Sequence, residues 1–260
     1  DQFGDSVGLS GSGTDLYVAA YEQKEDSGRI ESFHFNGTSW NYRGNIIDTA
    51  NDTMITFYYN AISMSRDGDY YAVGSFIRKW VKVFHFNGTH WEQWGSTLWD
   101  PAQVGYSFGA GVDIASTPAG VILAIGSPYE DATGVIRVYD YALDGTGWIE
   151  RKESLRAPSW SSRGGLGKSI KLSDDGNSII TASRDATVVM RYDWDDYSRT
   201  WTRSNVSDEV IYSDPIIAIS ADAETIVASY PFDDVAFENY GLLDPNNHGR
   251  VRTYGLTREY

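Results

Sequence analysis

The chain has 260 residues, no cysteine, and 36 acidic against 21 basic residues, a net charge of −15. That composition excludes disulfides, thiolate metal sites and cysteine nucleophiles, and it argues against nucleic acid or an anionic membrane as partner. Apolar residues make up 41% and charged residues 22%, a globular balance, and no run approaches the roughly 18 apolar residues of a membrane-spanning helix.

In chain order, the first element is a strand, a tight turn and a second strand, SVGLSGSGTDLYVAAY from Ser6. It is followed by FHFNGTSW, residues 33–40. Both return. AISMSRDGDYYAVGS begins at Ala61, and FHFNGTHW occupies residues 84–91. GVDIASTPAGVILAIGS begins at Gly111 and leads to VYDYALDGTGW. SIKLSDDGNSIITAS begins at Ser169 and leads to MRYDWDDYSRTW. IIAISADAETIVASY begins at Ile216 and leads to VRTYGLTREY. The first strand of each copy alternates: Val7 and Leu9, Ile62 and Met64, Val112 and Ile114, Ile170 and Leu172, Ile217 and Ile219. That is the period of a strand, and Gly, Asp and Asn fill the turns as hairpins require.

Each copy closes on an aromatic residue: Trp40, Trp91, Trp148, Trp201 and Tyr260. In the second copy the pattern predicts strands Ala61–Ser65, Tyr70–Ser75, Trp80–Phe86 and His90–Ser96, with Asn87-Gly88 as the last turn. A four-stranded unit repeated about every 50 residues reads as a propeller blade. The expected fold is therefore all-β, a single β-propeller over 1–260 with five blades of four antiparallel strands. The blades fall at about 1–50, 51–102, 103–158, 159–208 and 209–260. The tryptophan is expected to open the outer strand and plug the space between blades. Asp1 reads as the start of a mature or excised segment, and the last copy reads either as a three-stranded blade or as one continued further along the natural chain.

These repeats resemble the FG-GAP family of propeller repeats. Phe3-Gly4-Asp5-Ser6-Val7-Gly8-Leu9-Ser10 and Phe108-Gly109-Ala110-Gly111-Val112 carry the opening of that motif. Leu123-Ala124-Ile125-Gly126-Ser127-Pro128 and Gly134-Val135-Ile136-Arg137-Val138-Tyr139 carry its continuation. The integrin-type calcium loop of the family is missing. Arg66-Asp67-Gly68-Asp69 and Asp174-Asp175-Gly176-Asn177 lie in hairpins and are too short for it. The remaining calcium candidates are Glu130 with Asp131 and Asp233 with Asp234; otherwise no cofactor is expected.

Four Asn-X-Ser/Thr triplets, at Asn36, Asn51, Asn87 and Asn205, read as glycosylation acceptors of a eukaryotic secreted or cell-surface protein. Asn-Gly is equally a favoured hairpin turn. Function is expected on the rim formed by the loops near 43–57, 98–107, 155–165 and 204–213 and by the long loop from Tyr230 to Gly249. The expected role is noncatalytic: adhesion, or a structural subunit of a cell-surface assembly, with other extracellular proteins or copies of itself as partners. The alternative is a lectin-like glycan binder with one pocket per blade. No enzyme is expected. The inner strands offer Asp113 as their acid, with Asp214 just before the last, and a glycosidase needs a pair. No Gly-x-Ser-x-Gly elbow is present, and His34, His85, His90 and His248 show no metal spacing.

Overall fold

The computed structural model describes residues 2–22, 27–48, 61–102, 107–142, 144–156, 165–182, 189–206, 216–230 and 250–255. Asn51, Asp214, Asp233, Asp234, His248 and the loop 231–249 lie outside these residues.

The fold is all-β: five small antiparallel sheets arranged as a five-bladed β-propeller. Blade 1 holds β1 (Gln2–Leu9), β2 (Asp15–Glu22), β3 (Ser27–Phe35), β4 (Trp40–Tyr42) and β5 (Ile47–Asp48). Blade 2 holds β6 (Ile62–Met64), β7 (Tyr70–Ser75), β8 (Trp80–Phe86), β9 (Trp91–Gln93) and β10 (Leu98–Trp99). Blade 3 holds β11 (Gly111–Thr117), β12 (Gly120–Ser127), β13 (Val135–Tyr141), β14 (Trp148–Glu150) and β15 (Leu155–Arg156). Blade 4 holds β16 (Ser169–Leu172), β17 (Ser178–Ala182), β18 (Val189–Asp195) and β19 (Thr200–Asn205). Blade 5 holds β20 (Ile216–Ile219), β21 (Thr225–Tyr230) and β22 (Arg250–Gly255).

The repeated octapeptides are the same hairpin in neighbouring blades, with Phe35 opposite Trp40 and Phe86 opposite Trp91. The ring pairs recur at matching separations: 5.3 Å for Phe35–Trp40, 5.2 Å for Phe86–Trp91, 5.0 Å for Tyr141–Trp148 and 5.1 Å for Trp194–Trp201. Such cross-strand pairs hold hairpin register and add to simple burial.

The outer strand departs from the expected single segment. In blades 1 to 3 it is broken in two, and the two halves pair with different ends of the same third strand. At each break one residue still bonds back to that strand: Arg43, Trp94 and Arg151 donate N–H to Ser32, Val83 and Val138 at 2.8, 2.7 and 2.7 Å. Gly44 and Gly95 follow with φ of 81° and 74°, so the chain leaves the sheet and rejoins it. The residue at the break then points to the next blade.

The core lies in the seams between blades. One apolar cluster joins blades 1 and 2 around Ile30, Tyr71 and Trp91, and another joins blades 2 and 3 around Val81, Phe108 and Leu123. A third joins blades 3 and 4 around Ile136, Leu166 and Ile179, and a fourth joins blades 4 and 5 around Ile180 and Ile226. The alternating residues of each inner strand face the seam before their own blade. Ile62, Val112, Ile114, Ile170 and Ile217 are accordingly buried. Val7 and Leu9 are 61% and 59% exposed, because no described seam covers that side of blade 1.

Trp91 does plug a seam: it stacks on Tyr71 at 3.9 Å and donates Nε1–H to Ser32 Oγ at 2.7 Å in blade 1. Trp40 does not, and is 43% exposed, since its side of blade 1 meets no described neighbour.

Close approach of blades rests on glycine. A Cβ on Gly74 would lie 2.1 Å from Gly109 O, and one on Gly126 would lie 1.8 Å from Gly167 O. Gly126→Ala is therefore expected to destabilise the fold by about 3 kcal/mol or more. Gly255→Ala, with nothing within 4 Å of its Cβ, is expected to stay within about 0.5 kcal/mol of the parent. Urea unfolding of the two variants checks the contrast.

Candidate functional site

The five inner strands place Gly8, Ser63, Asp113, Lys171 and Ala218 at matching positions along the axis. Asp113 is the centre of this set. Its Oδ1 accepts from Ser63 Oγ at 2.5 Å and lies 3.4 Å from Lys171 Nζ; its Oδ2 accepts from the Leu172 N–H at 2.7 Å. Asp113 and Ser63 are each 6% exposed. The carboxylate draws the Lys171 pKa above its ordinary value, outweighing the cost of burial. Asp113 is thus committed to tying blades 2, 3 and 4 together; the other inner-strand acid among the described residues, Asp5, is exposed where the β1–β2 register shifts. Asp214, the second acid expected near the axis, lies outside the described residues.

The cluster sits below a mouth that is itself bridged. Arg66 Nε in the β6–β7 turn meets Asp174 Oδ2 in the β16–β17 turn at 2.9 Å, reaching from blade 2 to blade 4. On either side, Gly11 donates N–H to Arg66 O at 2.7 Å and Asp174 donates N–H to Ala221 O at 2.9 Å.

Room for a small molecule is found away from the axis. A cavity of about 400 Å³ opens at the seam of blades 3 and 4, on the rim of the β11–β12, β16–β17 and β18–β19 turns. This is the rim opposite the one the loop lengths favoured. Its walls include Asp140, Asp175, Asp196, Arg151, Arg199 and Trp194.

Each wall residue has a local reason for its place. Arg151, at the break in the outer strand of blade 3, is 7% exposed. It binds both oxygens of Asp140 through Nε at 3.0 Å, reaches Gly176 O at 3.0 Å, and lies 5.1 Å from the Trp194 ring centre. Trp194 is held edge-on to Asp196, whose Oδ1 accepts its Nε1–H at 2.8 Å. Asp175 Oδ1 accepts from Ser173 Oγ at 2.5 Å and from the Asn177 N–H at 2.9 Å, which shapes its turn. Arg199 has φ of 55° and donates its N–H to Asp195 O at 2.7 Å, while its guanidinium has no partner among the described residues. Second oxygens of Asp175 and Asp196 are likewise without a protein donor among those residues.

The other candidates fall elsewhere. Glu130 takes both arms of Arg137, at 2.6 and 2.7 Å, and these bonds raise the Arg137 pKa. Asp131 pairs with Arg156. Both acids are engaged by cations, and no group of three metal-ligating side chains occurs among the described residues. Asn36 and Asn87 sit at equivalent turns: Oδ1 accepts the Thr38 hydroxyl at 2.8 Å and the Thr89 hydroxyl at 3.0 Å, with neighbouring N–H groups. Asn205 ends β19 and is exposed. His34 donates Nδ1–H to Asp15 Oδ1 at 2.7 Å, and neither His85 nor His90 belongs to a group of three metal-ligating side chains among the described residues.

No family model matches the sequence, and no curated protein matches it. Solved structures do match by shape. The periplasmic gluconolactonase of Pseudomonas aeruginosa superposes with a TM-score of 0.56 at 15% identity, over 85% of this chain and 63% of that one. A 6-phosphogluconolactonase candidate from Bacteroides uniformis gives 0.52 at 14% identity, over 78% and 55%. The Dos1 propeller gives 0.54 at 11% identity, over 87% and 52%. The chain therefore spans about half to two-thirds of the length of these structures, and at such identities the likeness carries the fold. It also corrects one expectation. Propellers of this shape include proteins named as lactonases, and none of the three named here supports adhesion, so the reading of a noncatalytic adhesion or structural module with enzyme activity excluded is overturned. Away from the inner strands, the carboxylates of Asp140, Asp175 and Asp196 share the wall of one cavity at the seam of blades 3 and 4.

The axial tie has a pH signature. A lysine whose folded pKa is raised contributes stability that is complete below its unfolded value and lost as pH rises through its folded value. Lys171 is so raised from 10.5. Asp113→Asn is expected to cost about 2 kcal/mol near neutrality, allowing for the partial exposure of Lys171. The deficit relative to the parent should shrink above pH 10.5 in urea titrations, as Lys171 loses its charge in the parent.

Proposed function

We propose that this chain is a hydrolase of small polyhydroxylated cyclic esters, acting at the cavity between blades 3 and 4. The observation that carries the reading is the cavity itself: about 400 Å³, walled by carboxylate oxygens and a guanidinium that have no partner among the described residues. A pocket of this size with a few convergent polar groups is where small-molecule chemistry is expected. The lactonase names among structures of the same fold support the reaction class.

The chemistry needs a base, an electrophilic partner and a surface for the ring. Asp140 is unsuited as base, since both its oxygens are taken by Arg151. Asp175 spends Oδ1 on its own hairpin, and its Oδ2 is assigned to accepting a substrate hydroxyl. Asp196 is held at one oxygen by the Trp194 indole and keeps the other for a water. In this reading Asp196 removes the proton as the water oxygen attacks the ester carbon. Arg199 faces the developing oxyanion, where a fixed positive charge lowers the barrier. The bond from that carbon to the ring oxygen then breaks, and the ring oxygen takes the proton from Asp196, leaving the open hydroxy acid. Trp194 offers a flat apolar surface to the ring.

The repeat is assigned in the same proposal to the FG-GAP type. Phe108-Gly109 and Leu166-Gly167 each place a glycine against the second-strand glycine of the preceding blade, Gly74 and Gly126. The chain is also proposed to be a secreted glycoprotein, since the Asn36 turn is exposed and its amide nitrogen is left unbonded by the turn. On secretion from eukaryotic cells, Asn36→Gln should lower the intact mass by one glycan; an unchanged mass would refute modification there.

A pH-stat assay with glucono-1,5-lactone tests the activity. Hydrolysis above the spontaneous rate is expected, with Asp196→Asn reducing kcat by about 100-fold or more and Arg199→Ala by about 100-fold. Spontaneous rates with the parent protein, or full activity in the Asp196 variant, would sink the proposal.

A further inference from the structure

Resting on the hydrolase reading of this cavity, we infer that its substrate is an uncharged polyhydroxy lactone and not a phosphorylated one. The donor and acceptor inventory of the walls points that way. A phosphate needs several donors. Arg151 has at most one to give: Nε and one Nη2 hydrogen are on Asp140, Nη1 is on Gly176 O and Asn177 Oδ1, and its face lies against Trp194. That leaves Arg199 as the free cation of the wall among the described residues.

Acceptors are plentiful by contrast. Asp175 and Asp196 each present a carboxylate oxygen, and a carboxylate accepts hydroxyl protons and gives none. Sugar-like hydroxyls meet that demand. With Asp140 and Arg151 cancelling, the remaining wall charges are two negative against one positive. Asp195 stands beside them, and N–H and hydroxyl donors from Tyr197 and Ser198 hold its carboxyl below the usual range, so it is ionised at neutral pH. A chain of net charge −15 adds a long-range field of the same sign. A phosphate dianion would enter against all of these.

Binding of glucono-δ-lactam, which cannot be hydrolysed, is compared with that of its 6-phosphate by titration calorimetry. At about 20 mM ionic strength the neutral lactam should bind the parent protein at least tenfold more tightly. The gap should narrow at about 0.5 M salt, where screening shortens the field, and narrow again in Asp175→Asn. Weakened lactam binding in Trp194→Ala places the ligand in this cavity. Equal or tighter binding of the phosphate, or no lactam binding to the parent at all, overturns the inference. Lactam binding as described, without hydrolysis of the lactone, would instead sink the hydrolase reading and leave the charge preference standing.

Discussion

A blade of this propeller has two apolar faces and no interior of its own, so the fold depends on how closely one blade lies on the next. Two devices set that distance. The first is backbone against backbone: Gly109 on Gly74, and Gly167 on Gly126, with no room for a side chain. The second is a side chain sent across the seam from the break in the outer strand. Arg43 reaches Gly68 O and Asp69 in blade 2 and lies 4.4 Å from the Phe86 ring centre. Arg151 repeats the arrangement on Gly176 O and Trp194. Between blades 2 and 3 the same position holds Trp94, which packs on Tyr141 at 5.3 Å instead. Blade 4 sends Arg191 from its third strand to Ala223 O. One geometric requirement, a polar or aromatic arm over the next hairpin, is met by different residues.

The cavity is a consequence of this device. Where Arg151 crosses, its charge must be balanced and its carbonyl partner held, so Asp140 and the Asp175 turn gather around it. In the equivalent seam of blades 1 and 2, Arg43 is met by Asp15 and Asp69. The difference lies in the following hairpin. Blade 2 turns on Asn87-Gly88, whereas blade 4 turns on Asp195 through Arg199. The longer acidic turn carries Asp196 and Arg199 to the cavity wall. A structural clasp and a candidate site thus share residues, and binding there would act on the seam itself.

Much of the fold was legible because the repeat is written in strand alternation and turn chemistry. The predicted second blade matches β7 and β8 residue for residue and misses mainly the break in the outer strand, which depends on a positive φ at Gly95 and on a partner in the next blade. No periodicity encodes that partner. The site was less legible for the same reason. Asp140, Asp175 and Asp196 lie far apart in sequence and on three different hairpins or strand ends, so no spacing brings them together. One signal was present: the Asp195-Asp196 pair stands where blades 1 and 2 have Asn-Gly, a departure of the fourth copy from its siblings.

Repetition fixes the scaffold, and departures from repetition mark where the scaffold can acquire chemistry. The axis illustrates the converse. Asp113 is also unique among its five equivalents, with Gly8, Ser63, Lys171 and Ala218 at the others. Yet its oxygens are filled by Ser63, Lys171 and the Leu172 N–H, all from neighbouring inner strands. A buried carboxylate with its bonds satisfied from the blades on either side is a joint. Asp196, with one oxygen lacking a donor among the described residues, and Arg199, with no guanidinium partner among them, share a cavity wall and keep bonding capacity that the described fold does not consume. The two acids differ less in rarity than in how many of their lone pairs the fold itself consumes.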